Sequence, residues 1–255
     1  MILDEICALS KKRAAQLDPS IRKTAEEGAY IPKNLLKAVK KCQGEKNAVI
    51  AEIKYTTPSD KTLDSGLDPA DLAISYERGG ACAVSVLTEP FYFSGCAENL
   101  TKAKTGTRLP ILRKDFIVDE NQIYETSVLQ ADSVLLIADV LQDRLAEFIS
   151  LCRSLQIEPL VEVRTLEDAE NAVNSGALLT GINNRNLHDM SVDTKKTKEL
   201  SGLLRDAGLT VISESGIKTP EDILGLKNFC DGFLIGTTLM KSVNPQKTLE
   251  AFVCV

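Results

Sequence analysis

Histidine occurs once in this chain, at position 188. The seven cysteines (Cys7, Cys42, Cys82, Cys96, Cys152, Cys230 and Cys254) never fall into a CxxC pair. A structural metal site needs several such ligands at helical or knuckle spacing, so no metal is expected and His188 reads as a loop residue. An odd, scattered set of cysteines also argues against a disulfide framework. Most sit among apolar neighbours and read as reduced packing residues. Apolar runs long enough to cross a bilayer are missing. The opening segment "MILDEICALSKKRAAQLD" carries charge every few residues and lacks the continuous apolar centre of a signal peptide. A soluble, cytoplasmic chain without membrane contact is the expectation. A basic excess is missing as well: 30 Lys and Arg stand against 36 Asp and Glu, for a net charge of −6. The two signs alternate along helical stretches, whereas a nucleic-acid surface needs concentrated basic side chains. No nucleic-acid partner is expected, although local basic spots suffice for a small anion.

What is present is a repeating alternation. With 255 residues and 44% hydrophobic content, the chain buries a large core, and its length fits one α/β barrel or two smaller domains. Eight short aliphatic or β-branched runs recur: 48–54, 83–88, 109–116, 133–138, 158–163, 178–183, 209–214 and 232–236. Between them lie segments with apolar residues at helical spacing, among them "PADLAISYERGG", "DRLAEFISLCRSL" and "PEDILGLKNF". Asp68 before Pro69 and Thr219 before Pro220 mark helix starts; Gly79, Gly176 and Gly208 mark ends. Eight buried strands alternating with helices predict an α/β fold, a single (β/α)₈ barrel. An open doubly wound sheet is disfavoured, because no Gly-rich dinucleotide fingerprint follows the first strand. Residues 1–47, with two helical patterns, are expected to form an N-terminal helical extension packed on a barrel of residues 48–255.

Side chains two apart on a strand share a face. That parity groups Ile50, Glu52 and Lys54; Leu112, Lys114 and Phe116; Leu160 and Glu162; Gly181, Asn183 and Arg185; Ile212 and Glu214. Polarity on these faces comes at the C-terminal ends, where barrel active sites lie. So many inward charges on separate strands are costly unless paired or functional. Arg113 has the opposite parity and reads as structural. After the seventh and eighth strands come Ser215-Gly216 and Gly236-Thr237, small-residue turns at the place where barrels commonly bind phosphate.

The motifs "AEIK…PS", "SVLTE", "LRKDF", "LVEV", "GINNRNL", "SESGI" and "LIGTTLM", in this order and at the strand ends, resemble indole-3-glycerol phosphate synthases of tryptophan biosynthesis. The N-terminal "ILDEI…KK" is similar to that family's extra helix. The resemblance implies a lyase that closes a carboxyphenylamino deoxyribulose phosphate into an indole ring, losing carbon dioxide and water without a cofactor. It implies Lys114 as the general acid, Glu162 as the base, and Lys54 as a holder of the substrate. Glu52 and Glu214 would position the lysines, and Asn183 and Arg185 would reach a sugar hydroxyl and the anionic aromatic end. Phe93, Phe116 and Leu187 would wall the ring. Ser215, Gly216, Gly236 and Thr237 would take the phosphate. The first loop departs from the family pattern: Thr57, expected to bind substrate, stands for Ser, and Asp60 for Lys. Arg164 follows "VEV" where His is frequent. The partner expected is a small phosphorylated substrate, met by a monomer, with higher assembly left open. Two alternatives stay open at this point: another phosphosugar barrel, such as a phosphoribosylanthranilate isomerase, and a catalytically silent ligand-binding barrel.

Overall fold

The computed structural model describes residues 2–58, 60–63, 66–187 and 189–255. His188, read above as a loop residue, lies outside them. Eight strands form: β1 (Ala48–Ile53), β2 (Ala83–Leu87), β3 (Ile111–Lys114), β4 (Ser133–Ile137), β5 (Leu160–Val163), β6 (Leu179–Asn183), β7 (Thr210–Glu214) and β8 (Gly232–Ile235). They pair in parallel and in chain order, and β8 closes on β1, which makes a (β/α)₈ barrel. Several predicted runs overshoot the ladder by a residue or two. After β3 the Asp115 carboxylate accepts the N–H of Phe116 at 2.8 Å, and the backbone leaves the sheet there.

Parallel strands covered on both faces need apolar residues on both, which is why these runs are nearly continuous. The outward residues, such as Val49, Val84, Ile111, Val161 and Val211, pack against Leu72, Tyr76, Leu100, Ile123 and Phe148 of the surrounding helices. The inward residues stack in layers drawn from alternate strands. In the pairing register Glu52 faces Ser85, Ser85 faces Leu112, Glu162 faces Gly181 and Glu214 faces Leu234. One layer is therefore Ile50, Leu112, Leu160 and Ile212. Above it lie Ser85, Leu135, Gly181 and Leu234. The next layer is Glu52, Lys114, Glu162 and Glu214, so all four positions there are ionisable.

Helix boundaries follow local chemistry. Asp68 accepts the Ala70 N–H at 2.8 Å ahead of the helix Pro69–Arg78. Asp222 accepts from the N–H groups of Lys218 and Thr219 at 2.8 and 2.9 Å at the start of Pro220–Leu226. The left-handed residue after Pro69–Arg78 is Gly80, at φ 90°, rather than Gly79. Gly79 answers a different need, since a Cβ there would lie 2.9 Å from the carbonyl oxygen of Gln246.

The helices Ile2–Ala14, Ile21–Glu26 and Leu35–Lys41 precede β1. Leu35 and Val39 join Ala48 and Ala83, which begin β1 and β2, in one apolar cluster at the N-terminal mouth. Ile2–Ala14 reaches the opposite rim. There Ser10 donates to the carbonyl of Phe116 at 2.5 Å, and Arg13 pairs with Asp115 at 2.6 Å. Arg113, 2% exposed, donates to Thr88, Thr126 and the carbonyl of Gln122 and pairs with Asp115 and Glu125, a strut between β3 and the helix layer. Burying that guanidinium is tolerable because its donors find acceptors. The cysteines divide: Cys42, Cys82, Cys152 and Cys230 are buried, but Cys96 and Cys254 are exposed, so packing does not account for those two. They flank the helices Ala97–Gly106 and Pro245–Val253 at positions that face solvent. No helix among the described residues is long and apolar enough to cross a membrane.

Candidate active site

A cavity of about 530 Å³ opens at the C-terminal ends of the strands. Every residue singled out above for the site lines it except Glu214, which shares the layer of Glu52, Lys114 and Glu162 but is only 1% exposed. The strands bring together what the sequence keeps tens of residues apart: Glu52 from β1, Lys114 from β3, Glu162 from β5, Asn183 from β6. Lys54 comes one residue past the end of β1.

Lys114 occupies the centre of this cluster. Its Nζ lies 3.7 Å from Glu52, 3.9 Å from Glu162 and 3.8 Å from Glu214. Lys54 makes the tighter contact, 2.6 Å from the other oxygen of Glu52. Burial alone would discharge the Lys114 ammonium, but the charges of Glu52, Glu214 and Glu162 outweigh it and hold its pKa above the ordinary lysine range. Its side chain is 17% exposed, so the charged end still meets the cavity. Burial likewise opposes ionised Glu52, and Lys54 and Lys114 overcome it, leaving that carboxyl below its usual pKa.

Two ammonium groups thus face three carboxyls, and full ionisation would leave an excess negative charge in a buried layer. Glu214 absorbs the imbalance. Burial and the neighbouring Glu162 push its pKa up to about 8, against the pull of Lys114. Among the described residues neither of its oxygens has a hydrogen-bond partner. Its room comes from Gly181 on the adjacent strand: a Cβ there would sit 1.8 Å from the Glu214 Oε1. Gly236 does the same for Glu52, whose Oε1 would lie 2.2 Å from an added Cβ. Both glycines are therefore spatial requirements of the charged layer.

Asn183 donates from Nδ2 to Glu162 at 2.9 Å and accepts the Arg185 N–H at 3.0 Å, so one amide fixes a carboxylate and the start of the following loop. Arg185 is half-buried and donates to the carbonyl of Met190 at 3.0 Å. Burial pulls its pKa down from the usual arginine value. Phe93 and Phe116 form the apolar wall, with centroids 6.0 Å apart and rings inclined at 33°. At the opposite side Ser215 and Gly216 both take left-handed backbone, φ 65° and 87°, an unusual conformation for serine. Gly216 is also pressed by Thr194 and Val192, whose carbons would lie 2.8 and 2.9 Å from a Cβ.

The first loop uses its departures internally. Thr57 is 8% exposed; its hydroxyl accepts the Asp60 N–H at 3.0 Å and donates to the Asp60 carbonyl at 3.3 Å. Asp60 pairs with Lys241 at 2.6 Å, just after the helix Thr237–Met240. Lys241 holds the Asp60 carboxyl well below its usual pKa, with Thr62 adding two hydrogen bonds. Arg164, noted above only for replacing a frequent His, has the inward parity as well, two residues past Glu162. It donates to the carbonyl of Asn183 at 3.1 Å and lines a second cavity, about 630 Å³, that shares Ile137, Glu162, Arg185 and Leu187 with the first. Met190, Val192 and Thr194 also line the main cavity. Their loop has no periodicity that would have marked it.

Relatives fit this geometry. Residues 3–252 match the family model described as indole-3-glycerol phosphate synthase. Over 205 residues, 79% of each chain, the sequence is 47% identical to the indole-3-glycerol phosphate synthase of Aquifex aeolicus. It is 41% identical to that of Carboxydothermus hydrogenoformans over 99% of this chain and all of the other. Among solved structures, tryptophan synthase from M. tuberculosis superposes with a TM-score of 0.64 at 11% identity, over 86% of this chain and 96% of that one, a likeness of fold alone. With the family model spanning nearly every residue and the charged layer seated at the strand ends it matches, the chain belongs to the indole-3-glycerol phosphate synthase family.

Proposed function

We propose that this chain converts 1-(2-carboxyphenylamino)-1-deoxyribulose 5-phosphate to indole-3-glycerol phosphate, with release of carbon dioxide and water, in tryptophan biosynthesis. The observation that carries the reading is the ammonium of Lys114 held among three carboxyls at 3.7 to 3.9 Å on the cavity floor. Ring closure begins when the aromatic carbon bearing the carboxylate attacks the sugar ketone. The developing alkoxide needs a proton, and Lys114 supplies it. Loss of carbon dioxide then restores aromaticity. In the last step Glu162 removes a proton from the substrate while Lys54, beside Glu52, supplies the proton with which the hydroxyl leaves as water. Asn183 keeps Glu162 oriented, and Glu52 sets the spacing between Lys54 and Lys114.

The phosphate belongs at Ser215, Gly216, Gly236 and Thr237, and the anionic aromatic end near Arg185, with Phe93, Phe116 and Leu187 against the ring. Thr57 shapes the loop that covers this end. Each step needs only proton transfer and fixed charge, so the reading includes no metal or cofactor. The reading is of a monomer acting in the cytoplasm, with residues 1–47 a helical extension of the barrel that begins at residue 48. The test is a spectroscopic assay for indole absorbance when the purified protein meets this substrate. Turnover is expected; a folded protein that yields no indole signal would refute the reading.

A further inference from the structure

The turn after β2 carries a buried carboxylate that the reaction scheme leaves unused. Glu89 is 2% exposed. Its side-chain oxygens accept the backbone N–H groups of Phe91 at 2.9 Å, Tyr92 at 2.7 Å and Phe93 at 3.0 Å. Its own carbonyl accepts a fourth, from Gly95, at 2.8 Å. Pro90 has no N–H to offer, so one residue gathers every donor from 91 through 93. Hydrogen bonds to a charged acceptor are the stronger kind, and here they converge on one backbone turn.

The rest of the turn is equally constrained. Ser94 takes left-handed backbone at φ 51°. Gly95 lies so close to β2 that a Cβ would come 2.4 Å from the carbonyl oxygen of Leu87. From the loop after β1, the Thr56 hydroxyl donates to the carbonyl of Tyr92 at 3.2 Å and contacts the Ser94 hydroxyl at 3.0 Å. The product of this wiring is the placement of Phe93, which enters the cavity beside Phe116, two residues beyond Lys114. Phe93 has no strand of its own to aim it.

We propose that Glu89 is a positioning residue that sets affinity for the aromatic end of the substrate, by holding the turn 89–95 so that Phe93 completes the apolar wall with Phe116. It touches no substrate atom and acts through three backbone N–H groups. The inference rests on the proposed function, because the aromatic end is part of that substrate.

Two probes separate the two ends of the site: 2-aminobenzoate for the aromatic end and inorganic phosphate for the other, each measured by direct binding rather than turnover. In Glu89→Ala the dissociation constant for 2-aminobenzoate is expected to rise at least about tenfold, while that for phosphate stays within about twofold. Michaelis constants should follow the aromatic probe, with kcat less affected. Glu89→Gln keeps one acceptor oxygen and should recover part of the loss. Gly95→Ala leaves Glu89 intact but drives a methyl into the Leu87 carbonyl, and it should reproduce the selective loss even if Glu89→Ala fails to fold. Equal weakening of both probes, or unchanged aromatic binding in Gly95→Ala, would overturn the proposal. Wild-type protein that turns substrate over without binding 2-aminobenzoate would overturn it and leave the function standing.

Discussion

Lys114 is the residue on which the chemistry turns, and its surroundings decide what a substitution there can show. General acids contribute about 10² to 10⁴-fold, and Lys114→Met should lose turnover within that range while still binding substrate. Near-normal turnover would remove the assignment. The same substitution strips the charge compensation from three carboxyls, so circular dichroism must confirm folding. Glu214 gives a pH prediction with a definite sign. Its folded pKa, about 8, lies above the ordinary 4.5. The stability it contributes is complete below about 4.5, where it is protonated in both states, and is lost as pH rises toward 8, where the unfolded chain ionises freely and the folded site resists. Glu214→Gln does not titrate. Melting temperatures of the two proteins should therefore diverge in favour of the variant between pH 5 and pH 8.5, and a constant difference would contradict the neutral carboxyl.

At the scale of elements, the loops after β1 and β8 meet through Asp60 and Lys241, and this changes which variants are informative. Thr57→Ser keeps the hydroxyl on the Asp60 N–H, and its catalytic efficiency should stay within about tenfold of wild type. Thr57→Val deletes the hydroxyl but leaves the Asp60 N–H its bond to the Thr57 carbonyl at 3.2 Å, so the cost is that of one hydrogen bond, about 0.5 to 1.5 kcal/mol, expected as a lower kcat/KM. Valine and wild-type proteins with equal kcat/KM would show that the hydroxyl does not hold the loop. Gly236 is a poor probe of phosphate alone, since any side chain there also meets Glu52. Gly236→Val should lower kcat as well as raise the Michaelis constant, whereas Thr237→Val should mainly weaken competition by inorganic phosphate. A Gly236→Val enzyme with unchanged kcat would place Glu52 outside the mechanism.

For the whole molecule, the question is whether the first helices fold with the barrel. Asp132, fully buried between β3 and β4, accepts from the Tyr30 hydroxyl at 2.5 Å, from the Lys33 N–H at 2.7 Å and from the Ile111 N–H at 2.8 Å. One carboxylate thus ties the segment before β1 to the barrel wall. Asp132→Asn turns one acceptor into a donor facing the Ile111 N–H, and the loss should be about 1.5 to 3 kcal/mol in urea denaturation. A single shared transition is expected in wild type and variant. A separate early transition for the N-terminal helices would mean that this tie does not couple them.

The sequence by itself determined the alternation, the barrel and the inward parity, because strand burial and the two-residue period are local properties of the chain. It marked Glu52, Lys114, Glu162 and Glu214 as inward one strand at a time. Only tertiary structure decided that the four share a single layer, since that depends on the stagger between strands, which no strand encodes alone. The same holds for Gly181 and Gly236: read locally they are a strand residue and a turn, and their role as space for Glu214 and Glu52 exists only across neighbouring strands. Arg164, two residues past Glu162, lies within reach of the same parity rule. Cys254 went the other way, with Phe252, Val253 and Val255 beside it in sequence but solvent around it once its helix was placed. Thr57, Asp60 and Glu89 show the limit most plainly. Thr57 and Glu89 bond within four residues, in turns that carry neither a helical nor a two-residue period, while Asp60 meets Lys241 only because the closed barrel brings the two segments together.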